Sequence, residues 1–89
     1  MTPEEQVQEG RLVGAVTHYF GRISVGIIDL TDTLRVGDTI RIKGATSDFT
    51  QTVESMQLEH EQVDEGTAGQ SMGVKMDEQV REGDQVFVV

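Results

Sequence analysis

Apolar and polar residues alternate with period two along most of this chain, the signature of strands with one face turned inward. Six segments carry the pattern. The first covers residues 11–18 and ends at a turn, Phe20-Gly21-Arg22. The second, 23–30, is apolar at both parities, with Ile23, Val25 and Ile27 on one side and Ile28 and Leu30 on the other. Such a strand is either buried on both faces or changes face partway. The third, 39–43, turns Ile40 and Ile42 inward and Arg41 and Lys43 outward. A polar loop, 44–48, leads to a fourth segment, 49–63, which is too long for one straight strand. Its apolar phase flips, because Phe49 and Val53 are odd whereas Met56 and Leu58 are even. A one-residue slip exchanges the faces, so a β-bulge is expected near Glu54-Ser55. The fifth segment, 71–76, places Met72, Val74 and Met76 on one face, and the sixth, 85–89, ends the chain.

Residue usage agrees with an all-β class. Val, Ile and Thr supply 26 of the 89 residues, while Ala and Leu together supply 7. Branching at Cβ costs rotamer freedom in a helix and packs well on a pleated surface. Ten glycines punctuate the chain, as tight turns and bulges require. Helix is expected to be nearly absent. One capping-box pattern, Thr2-Pro3-Glu4-Glu5, precedes too few residues to hold a helix unaided. Residues 1–9 are therefore expected to be a flexible tail before one domain over 10–89. An internal echo supports closure of the sheet: Arg35-Val36-Gly37-Asp38-Thr39-Ile40 recurs as Arg81-Glu82-Gly83-Asp84-Gln85-Val86. Both copies read as a turn that launches a strand, with glycine free to take positive φ and aspartate able to bond its own turn.

Length and charge narrow the function classes. At 89 residues the chain is one small domain, burying roughly 60–65% of its unfolded surface. It has no cysteine, which excludes disulfides, thiol chemistry and cysteine-rich metal sites. The acidic start and the lack of a long apolar run point to a cytoplasmic domain with no membrane role. Net charge is −9, and it is uneven. Residues 1–45 carry five basic and six acidic groups, whereas 46–89 carry two basic and ten acidic groups. Arg41 and Lys43 share a strand face, with Arg35 and Arg22 in flanking turns, a candidate local patch for RNA or an acidic partner. A field of −9 makes any RNA binding weak, and where it occurs it should depend on Arg35, Arg41 and Lys43.

Two segments carry a family resemblance: Leu34-Arg35-Val36-Gly37-Asp38-Thr39-Ile40-Arg41-Ile42-Lys43-Gly44, and Val63-Asp64-Glu65-Gly66-Thr67-Ala68-Gly69-Gln70-Ser71-Met72-Gly73-Val74. In order and spacing they resemble the second domain of translational GTPases such as elongation factor Tu. The resemblance spans about residues 10–89 and looks closest to free-standing elongation-factor-like proteins, with His18-Tyr19-Phe20 and Val53-Glu54-Ser55-Met56-Gln57 as characteristic runs. A similar module is attached to some collagenase-like peptidases. The resemblance implies a six-stranded, closed, Greek-key-like β-barrel. No Gly-x4-Gly-Lys-Ser/Thr loop is present, so neither GTP binding nor hydrolysis is expected. Where the family carries a basic pair on its tRNA side, this chain has His60 and Glu61, which weighs against tRNA binding in the family manner.

Other candidates for chemistry have simpler readings. Glu59-His60-Glu61 could hold a cation, but on a strand Glu59 and Glu61 point away from His60. His18 has no carboxylate beside it in sequence, the methionines fit a core, and no serine sits in a nucleophile elbow. The sequence therefore predicts no catalytic residues, no metal and no cofactor. It predicts a monomeric, non-catalytic binding module that meets the translation apparatus or a protein partner. The alternatives are an accessory subunit acting in trans with a peptidase-like enzyme, and a small RNA-binding protein.

Overall fold

Ten strands and no helix form among residues 10–89, the span described by the computed structural model. The 1–9 tail and its Thr2-Pro3-Glu4-Glu5 pattern lie outside the described residues. In chain order the strands are β1 (Arg11–Phe20), β2 (Val25–Leu30), β3 (Leu34–Arg35), β4 (Thr39–Lys43), β5 (Asp48–Thr52), β6 (Met56–Leu58), β7 (Glu61–Val63), β8 (Glu65–Gly66), β9 (Ser71–Lys75) and β10 (Gln85–Val88). Eight of them make one antiparallel sheet in the order β5-β4-β10-β1-β2-β9-β6-β7, and β3 pairs with β8 as a separate ribbon.

The expected closed barrel is in fact an open, curled half-barrel, because edge strands β5 and β7 are not hydrogen-bonded to each other. The long fourth segment explains why. It divides into β5, β6 and β7, and Val53, Glu54 and Ser55 join no ladder. β5 pairs with β4 at one end of the sheet, and β6 pairs with β9 near the other. The parity flip is real, since Val53 and Met56 are both buried. Its cause is a chain crossing from one side of the sheet to the other rather than a bulge within one ladder. The register shifts fall in β1 instead, between Leu12 and Gly14 and between Val16 and His18. They let β1 bury Val13 and Val16 together, although the two have opposite parity.

The repeated Gly-Asp segments fold alike. In each, a main-chain bond closes a four-residue turn, from Asp38 N–H to Arg35 C=O and from Asp84 N–H to Arg81 C=O, both 3.1 Å. Gly37 and Gly83 take φ of 99° and 94°, which a type II turn requires at its third residue. Each aspartate then accepts from the first residue's N–H, Asp38 from Arg35 at 3.0 Å and Asp84 from Arg81 at 2.9 Å. Each turn also grips a buried valine through two main-chain bonds. Val53 donates to Asp38 C=O and accepts from Gly37 N–H, and Val16 does the same with Asp84 and Gly83, all at 2.8 Å. The strands launched, β4 and β10, lie antiparallel as neighbours with Ile42 opposite Val86. The echo is thus a pair of equivalent turn-and-strand units about a local twofold.

Across the open side of the sheet the tie comes from a side chain. Gln51 stands on the inner face of β5 between Phe49 and Val53 and is 6% exposed. Its amide nitrogen donates to Lys75 C=O at 2.7 Å, and its amide oxygen accepts from Asp77 N–H at 2.7 Å. The two bonds join edge strand β5 to the end of β9 where no ladder reaches. Around this tie the core is aliphatic and thioether, with Met72, Val74 and Met76 on one face as expected.

Gln51→Leu should cost about 2–4 kcal/mol in urea unfolding, since it leaves two backbone groups unsatisfied at roughly 1–3 kcal/mol each. A loss below about 0.5 kcal/mol would mean that solvent already serves both groups.

Candidate binding surface

β2 turns Gly26, Ile28 and Leu30 inward, and Val25 and Ile27 stand half-buried on its outer face. Ile23, in the turn before it, is 59% exposed. The apolar run at both parities is therefore neither double burial nor a change of face. It is a second apolar stripe left on the outside of the sheet. Phe20, the last residue of β1, is 46% exposed beside it, with its ring centroid 4.5 Å from that of His18. On the far side, β9 presents Ser71 and Gly73, and β6 with its turn presents Gln57, Glu59 and His60. Between these walls lies a mostly apolar groove of about 330 Å³.

Register orders the charges along the groove. Val25 lies opposite Lys75, Ile27 opposite Gly73, and Asp29 opposite Ser71, while Gln57 meets Gly73 from β6. Lys75 therefore lies next to one end, opposite Val25. The other carries Asp29, which accepts a 2.5 Å bond from Ser71 Oγ, and Glu59 in the adjacent turn.

Three non-glycine residues among those described have positive φ; two of them line this groove and the third lies between the lining residues Ile23 and Val25. They are Ser24 (57°), Glu59 (53°) and His60 (71°). Glu59-His60 is the two-residue loop of the β6–β7 hairpin, with Leu58 opposite Glu61. Positive φ at both loop positions defines a type I′ turn, which favours Asn-Gly. An L-residue with a full side chain gives up roughly 1–2 kcal/mol in that conformation. The conformation sets Glu59 and His60 beside the groove. The sequence reading singled out Glu59 and His60 for other chemistry and passed over the groove residues Phe20, Ile23, Gln57, Ser71 and Gly73. The available signal was the surplus apolar parity of 23–30.

The four predicted basic residues come from three elements, β4, β3 and the β1–β2 turn. Arg41 and Lys43 do share the outer face of β4. Arg41 holds Asp48 with two bonds, Nε to Oδ1 at 2.9 Å and Nη2 to Oδ2 at 3.1 Å. Arg35 sits in the β3–β8 ribbon, 3.7 Å from Glu65, beside a polar depression lined by Arg11, Asp32 and Asp38. Arg22 is exposed in the β1–β2 turn that borders the groove. Among the described residues no three His, Asp or Glu side chains are arranged to hold a metal ion. No helix among them is long and apolar enough to cross a membrane.

Two predictions follow from this geometry. Replacing Glu59-His60 by Asn-Gly should raise stability by about 1–2 kcal/mol, because it removes left-handed strain, and thermal unfolding reads this directly. Arg41 holds the Asp48 carboxyl below its ordinary range, first by hydrogen bonding and then by charge, with Lys43 adding and desolvation opposing. The depressed value means that the pair's stabilisation is present above pH ~4 and is lost as pH falls through the folded value. In Arg41→Met, the Asp48 carboxyl carbon should titrate at higher pH by NMR; an unchanged midpoint would refute the assignment.

No family profile matches the chain. It is 38% identical over 78 residues to an uncharacterised protease of Methanocaldococcus jannaschii. That match covers 86% of this chain and 19% of the protease, so the chain spans about a fifth of that relative. Among solved structures, it superposes on the C-terminal domain of a Geobacillus thermoleovorans protein described as a U32 peptidase, with a TM-score of 0.83 at 19% identity. The superposition covers 86% of this chain and 98% of that domain, solved as a selenomethionine variant. A further crystal structure of the same domain gives a TM-score of 0.83 at 18% identity, covering 89% and 92%. The expected kinship with translation elongation factors is thereby corrected, since these relatives are named as a protease and a U32 peptidase domain. The segments that carried that resemblance contain the Gly-Asp turn of β4 and the strands β8 and β9. Their residues answer to local turn and strand physics, which unrelated functions share. The chain thus matches a segment of a protease in sequence and a peptidase's C-terminal domain in fold.

Proposed function

We propose that this chain is a non-catalytic accessory binding domain that works beside a peptidase-like protein. One observation carries the reading: 38% identity over 78 residues to a segment amounting to 19% of an archaeal protease. The shared fold, seen as a C-terminal domain of a protein described as a U32 peptidase, supports it. So does the mostly apolar groove, a concave surface of a size to receive a partner's side chain. Catalysis belongs to the partner on this reading. Ser71 is bonded to Asp29, and His18 stands 3.5 Å from Glu82, two dyads that each lack a member of a nucleophile, base and orienter set. The domain acts in the cytosol, and nucleic acid is at most a weak ligand. A net charge of −9 repels phosphate, and Arg35 and Arg41 already face Glu65 and Asp48.

Affinity capture from native cytosol, followed by quantitative mass spectrometry, tests the proposal. The expected result is enrichment of a peptidase-like protein whose purified form then binds the chain in calorimetry. Enrichment of ribosomal proteins or RNA, with no peptidase-like protein, would overturn it.

A further inference from the structure

We infer that the groove over Gly73 is a docking site for an extended polypeptide segment, which inserts one large aliphatic or aromatic side chain into it. The inference rests on the accessory-domain reading for the source of that segment, a peptidase-like partner. It rests on the groove itself for the chemistry.

Gly73 lies at the middle of β9, a position where glycine weakens a strand and often marks a close approach by another chain. Its φ is not in the left-handed region, so the backbone does not demand glycine there. Packing presses on the position less than on the interior glycines. The nearest atoms to a Cβ there would be Val25 Cγ1 at 3.3 Å, which would have to give slightly, then Ile27 Cδ1 at 3.6 Å and Gln57 O at 3.9 Å. Gly26 and Gly66 differ, since a Cβ there would press on Met76 or Leu30 inside the fold. Glycine at 73 leaves an open floor between the apolar wall of Ile23, Val25 and Ile27 and the polar wall of Gln57 and Glu59.

The dimensions suit a side chain with its flanking backbone. About 330 Å³ lies at the small end of ligand pockets, and the groove is half-open to solvent rather than enclosed. The charges state what flanks the anchor. Glu59 lines one end, with Asp29 beside the lining residue Ser71, and they call for a lysine or arginine; Lys75, opposite the lining residue Val25 at the other end, calls for a carboxylate. A polypeptide with an apolar anchor between opposite charges meets all three demands. Nucleic acid does not, because the acidic end would face its phosphates. The left-handed residues Glu59 and His60 line one wall and Ser24 falls between Ile23 and Val25 of the other, and such strain gathers where a ligand is clamped.

The test uses two nine-residue peptides and the ¹⁵N-labelled chain. One peptide carries a central leucine between a glutamate and a lysine, and the control has serine in place of leucine. The leucine peptide should shift amide resonances of Ile23, Ile27, Gln57 and Gly73, and should bind at least tenfold more tightly than the control. Gly73→Val fills the floor and should weaken binding at least tenfold. Ile23→Ser, at an exposed turn position, tests the same site should Gly73→Val fail to fold. Equal shifts from both peptides, shifts that map elsewhere, or full binding by folded Gly73→Val or Ile23→Ser would sink the inference. Capture separates it from the reading beneath. A peptidase-like partner captured equally by Ile23→Ser and the natural chain removes the groove and leaves the accessory domain standing. Leucine-specific binding at the groove, with no peptidase-like protein captured, keeps the groove and removes that partner.

Discussion

Two main-chain grips on buried valines hold this domain in shape. Val16 and Val53 each exchange a pair of 2.8 Å bonds with a Gly-Asp turn, and each is almost fully buried. The turns start β4 and β10, which pair as neighbours next to the β5 edge of the sheet, so their placement sets the register of β1 and β5 on either side. Glycine permits the turn, and aspartate closes it by accepting the N–H of its first residue. Because both grips use backbone groups, they satisfy donors and acceptors that the ends of short strands would otherwise leave buried and unpaired.

From those grips the open form of the sheet follows. Val53 is held at its turn, and the chain after it leaves the β5 edge and crosses to pair with β9. β5 and β7 are left as edges, and β6 and β7 span only three residues each. Gln51 makes up part of the missing ladder with its amide, which can donate and accept at once. A leucine of similar size would fill the same space and serve neither backbone group. That is the physical reason for a polar side chain in an inward column of an otherwise apolar core.

The same economy of size leaves a face uncovered. A sheet of short strands in 89 residues has one core, on its concave side. Among the described residues no layer covers the second apolar stripe of β2, and β9 places glycine beside it. The protease that the chain matches in sequence is larger, and the match spans 19% of it.

Much of this was legible from residue order, because period-two alternation and turn chemistry act locally. The all-β class, β4, β9 and β10, the inward Ile40 and Ile42, and the likeness of the two Gly-Asp turns all rest on neighbours within a few residues. The phase change between Val53 and Met56 was legible too, although not what it meant. Whether a flipped phase is a bulge or a crossing depends on which strand pairs next, and that partner lies far along the chain. The same holds for the inward Gln51, whose partners Lys75 and Asp77 stand more than twenty residues away. It holds again for the groove, assembled from β1, β2, β6 and β9. Sequence alone determined which residues can alternate, turn and cap. Tertiary structure decided which face of β2 was buried, because a face is inside or outside only once another strand has been laid against it.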